Sequence, residues 1–182
     1  MFLHKHDVFL TPLDETNEDD VRFLWEMQMD EEVRRLYRIP MPITYEAFKE
    51  KVKAGKDDKN KAEFLIKEIM TKTETGALCI DHAILGICSI NGINWRDGSA
   101  WLGIGLVKFA QKRGFGYTVG QMGLEYAKNE LRLHHLMAGV YHGNAGSVRL
   151  LEKLGFEMEG KLRENGFVGG QYVDTYIYGK VL

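Results

Sequence analysis

Gln111-Lys112-Arg113-Gly114-Phe115-Gly116 decides how this chain is read, because of what flanks it. Ahead of it runs Trp101-Leu102-Gly103-Ile104-Gly105-Leu106-Val107, an apolar segment that reads as a buried strand. Behind it, Phe115, Val119, Met122 and Tyr126 recur at helical spacing. The stretch is therefore a strand, a glycine-punctuated turn and a helix. Such a turn gathers backbone N–H groups at the positive end of a helix dipole, a ready anion site. Its glycines let a phosphate approach without a Cβ in the way. Taken alone, the turn also has a plain reading as a strand-to-helix connection. It lacks the Gly-Lys-Ser/Thr ending of a P-loop and the third glycine of a dinucleotide fingerprint, so a nucleotide-phosphate enzyme is a poor match.

A second block follows the strand-like run Leu136-Met137-Ala138-Gly139-Val140-Tyr141. It reads His142-Gly143-Asn144-Ala145-Gly146-Ser147-Val148-Arg149-Leu150-Leu151-Glu152-Lys153-Leu154-Gly155-Phe156. Together the two blocks resemble the acetyl-CoA-dependent N-acetyltransferase superfamily known as GNAT. Its pyrophosphate loop, Gln/Arg-x-x-Gly-x-Gly/Ala, is met by Gln111, Gly114 and Gly116. Its later helix opens with Asn and closes with Glu-Lys-Leu-Gly-Phe, met by Asn144 and by Glu152 through Phe156. Phe167-Val168-Gly169-Gly170-Gln171-Tyr172-Val173-Asp174 is similar to the terminal hairpin of the branch that acetylates ribosomal-protein N-termini and polyamines. The resemblance is specific from about Trp101 onward. Before that, only Asp30-Glu31-Glu32-Val33-Arg34-Arg35-Leu36-Tyr37 is similar to that branch.

The resemblance implies an α+β fold. Residues 1–182 would form one GNAT-like domain, with a mixed, mostly antiparallel sheet, helices on both faces and splayed central strands. The splayed strands would be residues 100–107 and 135–141, with the thioester arm of acetyl-CoA in the gap. Backbone donors near Leu106 and Val107 would stabilise the oxyanion. The pyrophosphate would rest on the N–H groups of Lys112, Arg113, Gly114, Phe115, Gly116 and Tyr117, with Thr118 adding a hydroxyl. Asn144 would lie against the pantetheine arm, and the same residue is a preferred helix N-cap. Arg149 could reach the cofactor's phosphates or face water, and water is the better reading for Lys153.

One departure from the family pattern matters. Leu151 stands where the widespread form has a Tyr whose hydroxyl protonates the departing thiolate. The ribosomal-protein branch often has Ser where this chain has Ser147, which makes Ser147 the candidate thiolate stabiliser and Tyr141 the reserve. The plain alternative for Ser147 is a helix-start serine bonding its own backbone. No carboxylate lies on residues 100–107, where many relatives carry the base. Glu164 is the substitute and His142 the second choice, while Glu164 could equally pair with Arg163 or Lys161. Trp25, Tyr37 and Trp101 could wall the acceptor site or simply pack the core.

The expected acceptor is a primary amine, either a protein N-terminus or a small polyamine. A lysine-like amine titrates at about 10.4 and needs a proton path, whereas an α-amine at about 7.7–8.0 needs less of one. Neither Cys79 nor Cys88 sits beside an evident base, so direct attack in a ternary complex is expected rather than an acyl-enzyme. With both usual acid and base positions vacant, a catalytically inactive acyl-CoA-binding or sensing module stays open. Asp14, Glu15, Glu18, Asp19, Asp20, Glu26, Asp30, Glu31 and Glu32 crowd the region of the acceptor-side lid. They would face water or draw in a cationic amine.

A chain of 182 residues suits one compact domain, and 45% hydrophobic with 27% charged residues is ordinary for a globular protein. A net charge of −2 disfavours nucleic acid as a partner. No apolar run reaches a membrane span and no signal-peptide core is evident, so a cytoplasmic protein is expected. Histidine spacing gives no metal site: His134 and His135 point to opposite faces of a strand. A homodimer is compatible with all of this. Expected elements are a strand at 8–13, helices at 21–28, 31–37 and from Thr44, and strands at 64–70, 78–80 and 83–90. Residues 56–61 read as a solvated loop, Gly155 as a left-handed helix terminator, and Gly169-Gly170 as a hairpin turn. Gly120 and Gly123 are expected to allow close packing on the sheet.

Overall fold

The structure, a computed structural model, describes residues 3–5, 7–36, 42–74 and 77–182. In chain order the elements are β1 (Leu3–Lys5), β2 (Val8–Pro12), α1 (Glu18–Met29), α2 (Glu31–Leu36) and α3 (Tyr45–Ala54). Then come β3 (Lys61–Glu74), β4 (Ala77–Asn94), β5 (Ser99–Leu106) and a 3₁₀ turn at Lys108–Ala110. The chain closes with α4 (Phe115–Asn129), β6 (His135–Tyr141), α5 (Ala145–Lys153), β7 (Glu157–Val168) and β8 (Gln171–Val181). All the described strands join one sheet in the order β1-β2-β3-β4-β5-β6-β8-β7. Among the described strands only β5 and β6 run parallel.

Strand alternation builds the layers. On β3, Phe64 and Ile66 turn to a core shared with Val119 and Met122 of α4 and Leu151 of α5. Leu65 turns the other way, to Val21 and Leu24 of α1 and Phe48 of α3. Helices thus cover both faces, and the expected α+β architecture is the one observed. Ile66, Leu85, Ile90 and Leu136 are fully enclosed. Burial of each is worth about 1.5–3 kcal/mol.

Local chemistry sets the helix ends. Asn17 caps α1, accepting from the N–H groups of Asp19 and Asp20. Thr44 caps α3 through Ala47 N–H. Gly155, at φ +81°, ends α5 with paired bonds from Gly155 N–H to Glu152 and from Phe156 N–H to Leu151.

Strand bounds depart from expectation in the first half. Residues 78–80 and 83–90 are one strand, β4, and Asp81-His82 lies inside it. The polar pair reads as a turn, but the strand has room for it: His82 is exposed and packs edge-on against Phe9. β3 likewise continues through Thr71 to Glu74 and starts at Lys61, within the expected loop. β1 is an edge strand ahead of the expected elements, paired antiparallel with β2. Tyr37 and Pro40 lie outside the described residues.

The parallel pair β5–β6 is joined only at Ser99↔His135, Ala100↔Leu136 and Trp101↔Met137. Past Trp101, β5 stays with β4 as far as Leu106↔Gly86 and parts from β6. A bulge accompanies the divergence: Ile66 pairs with Gly86 and Lys67 with Ile84, leaving Leu85 as the extra residue. Bulges bend the strand that carries them. Gly86 is required there, because a Cβ would overlap the Gly105 carbonyl oxygen.

Candidate functional site

The gap is edged by backbone. Val107 N–H donates to the Leu85 carbonyl at 2.9 Å. Alternate residues of an antiparallel ladder send their polar groups to opposite edges, so Leu106 turns its N–H and C=O toward the gap. On the far side, His142 N–H donates to the Asp174 carbonyl at 2.9 Å, which turns Gly139 and Tyr141 toward β5 by the same rule. The expectation of oxyanion donors near both Leu106 and Val107 is corrected: the Val107 N–H is engaged in the sheet.

The turn before α4 opens beside this gap. Lys112 has φ +60° and Gly114 φ +90°, with Arg113 between them outside the left-handed region. Such alternation points successive N–H groups into one concavity. The N–H groups of Lys112, Arg113, Gly114, Phe115 and Gly116 find no acceptor among the described residues. Tyr117 differs from that expectation: its N–H donates to the Gly114 carbonyl at 3.1 Å, an acceptor it shares with the Thr118 N–H at 3.3 Å. Gly114 supplies no side-chain cap, and no acidic residue occupies the first turn. A substrate anion would therefore meet unpaired donors and no like charge from the first turn of α4. Gln111 spends its amide on the turn, donating from Nε2 to the Leu106 carbonyl at 3.0 Å. Arg113 is tied down, with Nη2 3.0 Å from Glu68 Oε1 and its guanidinium over the Phe115 ring.

Glycines bring a second helix start alongside. A Cβ at Gly116 would sit 3.3 Å from Leu150 Cδ2, and one at Gly120 would overlap Leu154. Gly120 therefore serves α5 packing rather than the sheet, while Gly123 does face Leu102 of the sheet. Lys153 is exposed, as expected, with its ammonium over the Tyr117 ring, 4.2 Å from the centroid. Asn144 caps α5, its Oδ1 accepting from Ser147 N–H at 3.1 Å. The Ser147 side chain is half-buried, and one turn later on the same face Leu151 is buried in the core. Arg149 is exposed.

On the opposite side, Tyr141 closes β6 as a buried side chain. A Cβ at Gly166 of β7 would overlap its ring, so the β7 backbone lies directly on Tyr141. Just before Gly166 the β7–β8 register jumps from Leu162↔Thr175 to Gly166↔Val173, leaving Asp174 opposite Arg163, Glu164 and Asn165. Glu164 is exposed at φ +48°, and its N–H donates to Asp174 Oδ1 at 2.9 Å. Lys161 Nζ bonds Asp174 Oδ2 at 2.6 Å. The Lys161 bond, then the Glu164 N–H, holds the Asp174 carboxyl below its ordinary range. His142 Nδ1 shares a 2.9 Å hydrogen bond with Tyr176 Oη. Asp174 and Tyr176 are additions to the sequence reading, and only the strand register reveals them.

The remaining candidates divide. Trp101 is partly exposed at the last paired position of the fork, next to Gly139. Trp25 instead works structurally, donating from Nε1 to the Ile43 carbonyl and stacking edge-on with Tyr45. Of the acidic run, Glu15 pairs with Lys56, Glu18 with Lys49, and buried Asp20 with Lys67. Asp30 caps α2 through Val33 N–H. Cys88 is enclosed, and burial pushes its thiol up to about 12, which removes it as a nucleophile near neutral pH. The Cys79 side chain lies outside the described residues. No helix among the described residues is long and apolar enough to cross a membrane.

Comparison with known proteins follows the same lines. The sequence profile of the acetyltransferase (GNAT) domain matches residues 7–157. A probable N-acetyltransferase of Bacillus subtilis, YjcK, is 38% identical over 79 residues, covering 43% of this chain and 44% of that protein. A spermidine N(1)-acetyltransferase of Vibrio cholerae is 33% identical over 92 residues, covering 50% of this chain and 53% of that protein. The chain spans about half the length of the curated relatives it matches. The structure of spermidine N-acetyltransferase from Vibrio cholerae in complex with CoA and spermine superposes with a TM-score of 0.83 at 22% identity. That alignment covers 97% of this chain and 96% of the other, a likeness of fold.

Proposed function

This chain belongs to the GNAT acetyltransferase family, and on that premise we propose that it transfers an acetyl group from acetyl-CoA to a primary amine by direct attack in a ternary complex. One observation carries this reading. The uncapped start of α4, with the unpaired N–H groups of Lys112 through Gly116, opens beside a gap edged by the polar backbone of Leu106, Gly139 and Tyr141.

In this reading the α4 turn holds the pyrophosphate, with Lys112, Arg113 and Arg149 adding charge nearby and Thr118 a hydroxyl. Gln111 keeps the turn closed on the end of β5. The gap receives the pantetheine arm against the Asn144 end of α5. Leu106 N–H donates to the thioester oxygen as negative charge grows on it. Glu164 takes the proton of the attacking amine, with His142 in reserve. Ser147 Oγ–H donates to the sulfur as it leaves as thiolate, with Tyr141 in reserve. Leu151, packed in the core, has no proton to give.

The acceptor is a protein N-terminus or a polyamine, and the working compartment is the cytoplasm. A spermidine acetyltransferase among the relatives supports a polyamine. The pairing of Glu15, Glu18 and Asp20 with lysines removes several carboxylates that would have recognised one. Purified protein incubated with labelled acetyl-CoA and a panel of N-terminal peptides, polyamines and aminoglycosides tests the reading. Label on an amine is the expected result. Tight acetyl-CoA binding with no transfer to any amine would reduce the protein to an acyl-CoA-binding module.

A further inference from the structure

The bulge in β7 needs a reason. Glu164 is a non-glycine residue at φ +48°, a conformation that carries a cost and persists only where its surroundings hold it. What faces it is one side chain, Asp174, standing opposite Arg163, Glu164 and Asn165 in the register. Its Oδ1 takes the Glu164 N–H at 2.9 Å and its Oδ2 takes Lys161 Nζ at 2.6 Å. Its backbone carbonyl takes His142 N–H at 2.9 Å, the residue that follows β6. Asp174 therefore ties the bulge to the strand that edges the gap. Immediately beyond the bulge, Gly166 lies on the Tyr141 ring.

We propose that Asp174 is a positioning residue for the transfer: its carboxylate holds the left-handed Glu164 backbone and so fixes where the Glu164 carboxylate stands. This rests on the reading of Glu164 as the base. Asp174 touches no reacting atom and acts through Glu164. Lys161, Arg163, His142 and Tyr176 are the other charged or titratable groups around the bulge.

The test is a double-mutant cycle on kcat/KM for the best acceptor of the panel, followed against pH. Misplacing a reacting group by 1 Å costs up to about 10²-fold. Asp174→Ala is expected to lower kcat/KM by at least about tenfold and to move the acidic limb of its pH profile. Asp174→Asn, whose Oδ1 still accepts the Glu164 N–H, should restore most of the rate and return the limb. In a Glu164→Gln background, Asp174→Ala should cost less than about twofold, because linked residues are non-additive. Thermal melts of each variant separate lost rate from lost fold. Equal losses in both backgrounds, with the pH limb unmoved, would overturn the positioning role and leave the base in place. A wild-type rate for Glu164→Gln would remove the base assignment and the positioning role together.

Discussion

Two helices begin at the open ends of the parallel pair β5 and β6, and they begin differently. α5 starts on Asn144, whose carboxamide accepts from Ser147 N–H, while Ala145 N–H bonds the Gly143 carbonyl. α4 starts on a left-handed Gly114 with no side chain to offer, and the N–H groups of Lys112 through Gly116 stay unpaired. A Ser, Thr, Asp or Asn cap is worth about 1 kcal/mol, so α4 forgoes stability that α5 keeps. The difference teaches where a ligand is expected. A helix start that satisfies its own donors is structural, and one that leaves them open beside a gap is a binding surface.

Filling the open turn should break the contrast most severely. Gly114→Asp places a carboxylate where the first-turn donors gather, in a residue that tolerates left-handed backbone better than most. Like charges at 4 Å and an effective dielectric constant of 20 repel by about 4 kcal/mol. Acetyl-CoA affinity measured by calorimetry is expected to fall by more than about 100-fold with the melting temperature nearly unchanged. Unaltered affinity would take the turn out of the cofactor site.

At the other helix start, Ser147→Ala probes whether α5 also touches the chemistry. Loss of one donor to the leaving thiolate should lower kcat by roughly 10²-fold with acetyl-CoA affinity intact. Turnover at the wild-type level would leave Ser147 as a helix-start residue alone. Asn144→Ala then sharpens the structural side of the comparison. The lost cap should cost about 1 kcal/mol, seen as a fall of roughly 2–4 °C in melting temperature. A large loss of acetyl-CoA affinity with no change in melting would reverse the roles of the two turns.

The smallest effect is expected away from both turns. With Glu15, Glu18 and Asp20 already paired to lysines, exposed Glu31 can steer a cationic acceptor only weakly. Charge reversal at Glu31 and Glu32 should raise KM for a polyamine by at most about fivefold, less so in high salt, and leave a neutral peptide unaffected. Equal effects on both acceptors would mark the acidic run as surface.

Much of this was readable from residue order. Gly114 and Gly116 between a strand run and a helical period located the turn, and Asn144 followed by a helical period located the cap. Other features were hidden because they depend on pairing between distant segments. Asp81-His82 has the composition of a turn, yet it lies inside β4 because β3 pairs with both residues, through Met70 and Ile69. Val107 seemed as good a donor as Leu106 until the ladder with β4 showed its N–H bonded to Leu85. Asp174 was one more polar residue on the terminal hairpin until the register jump set it against Glu164.

Sequence by itself determined the backbone options at each point: where φ can turn positive, where a helix is capped, and which faces are apolar. These depend on a residue and its neighbours within about a turn of helix. Tertiary structure decided which polar groups remained after the sheet had formed. It left the N–H groups before α4 unpaired, engaged that of Val107, and bound that of Glu164 to Asp174. A hydrogen-bond donor can be spent only once, and whether it is spent depends on a partner that folding brings from elsewhere in the chain.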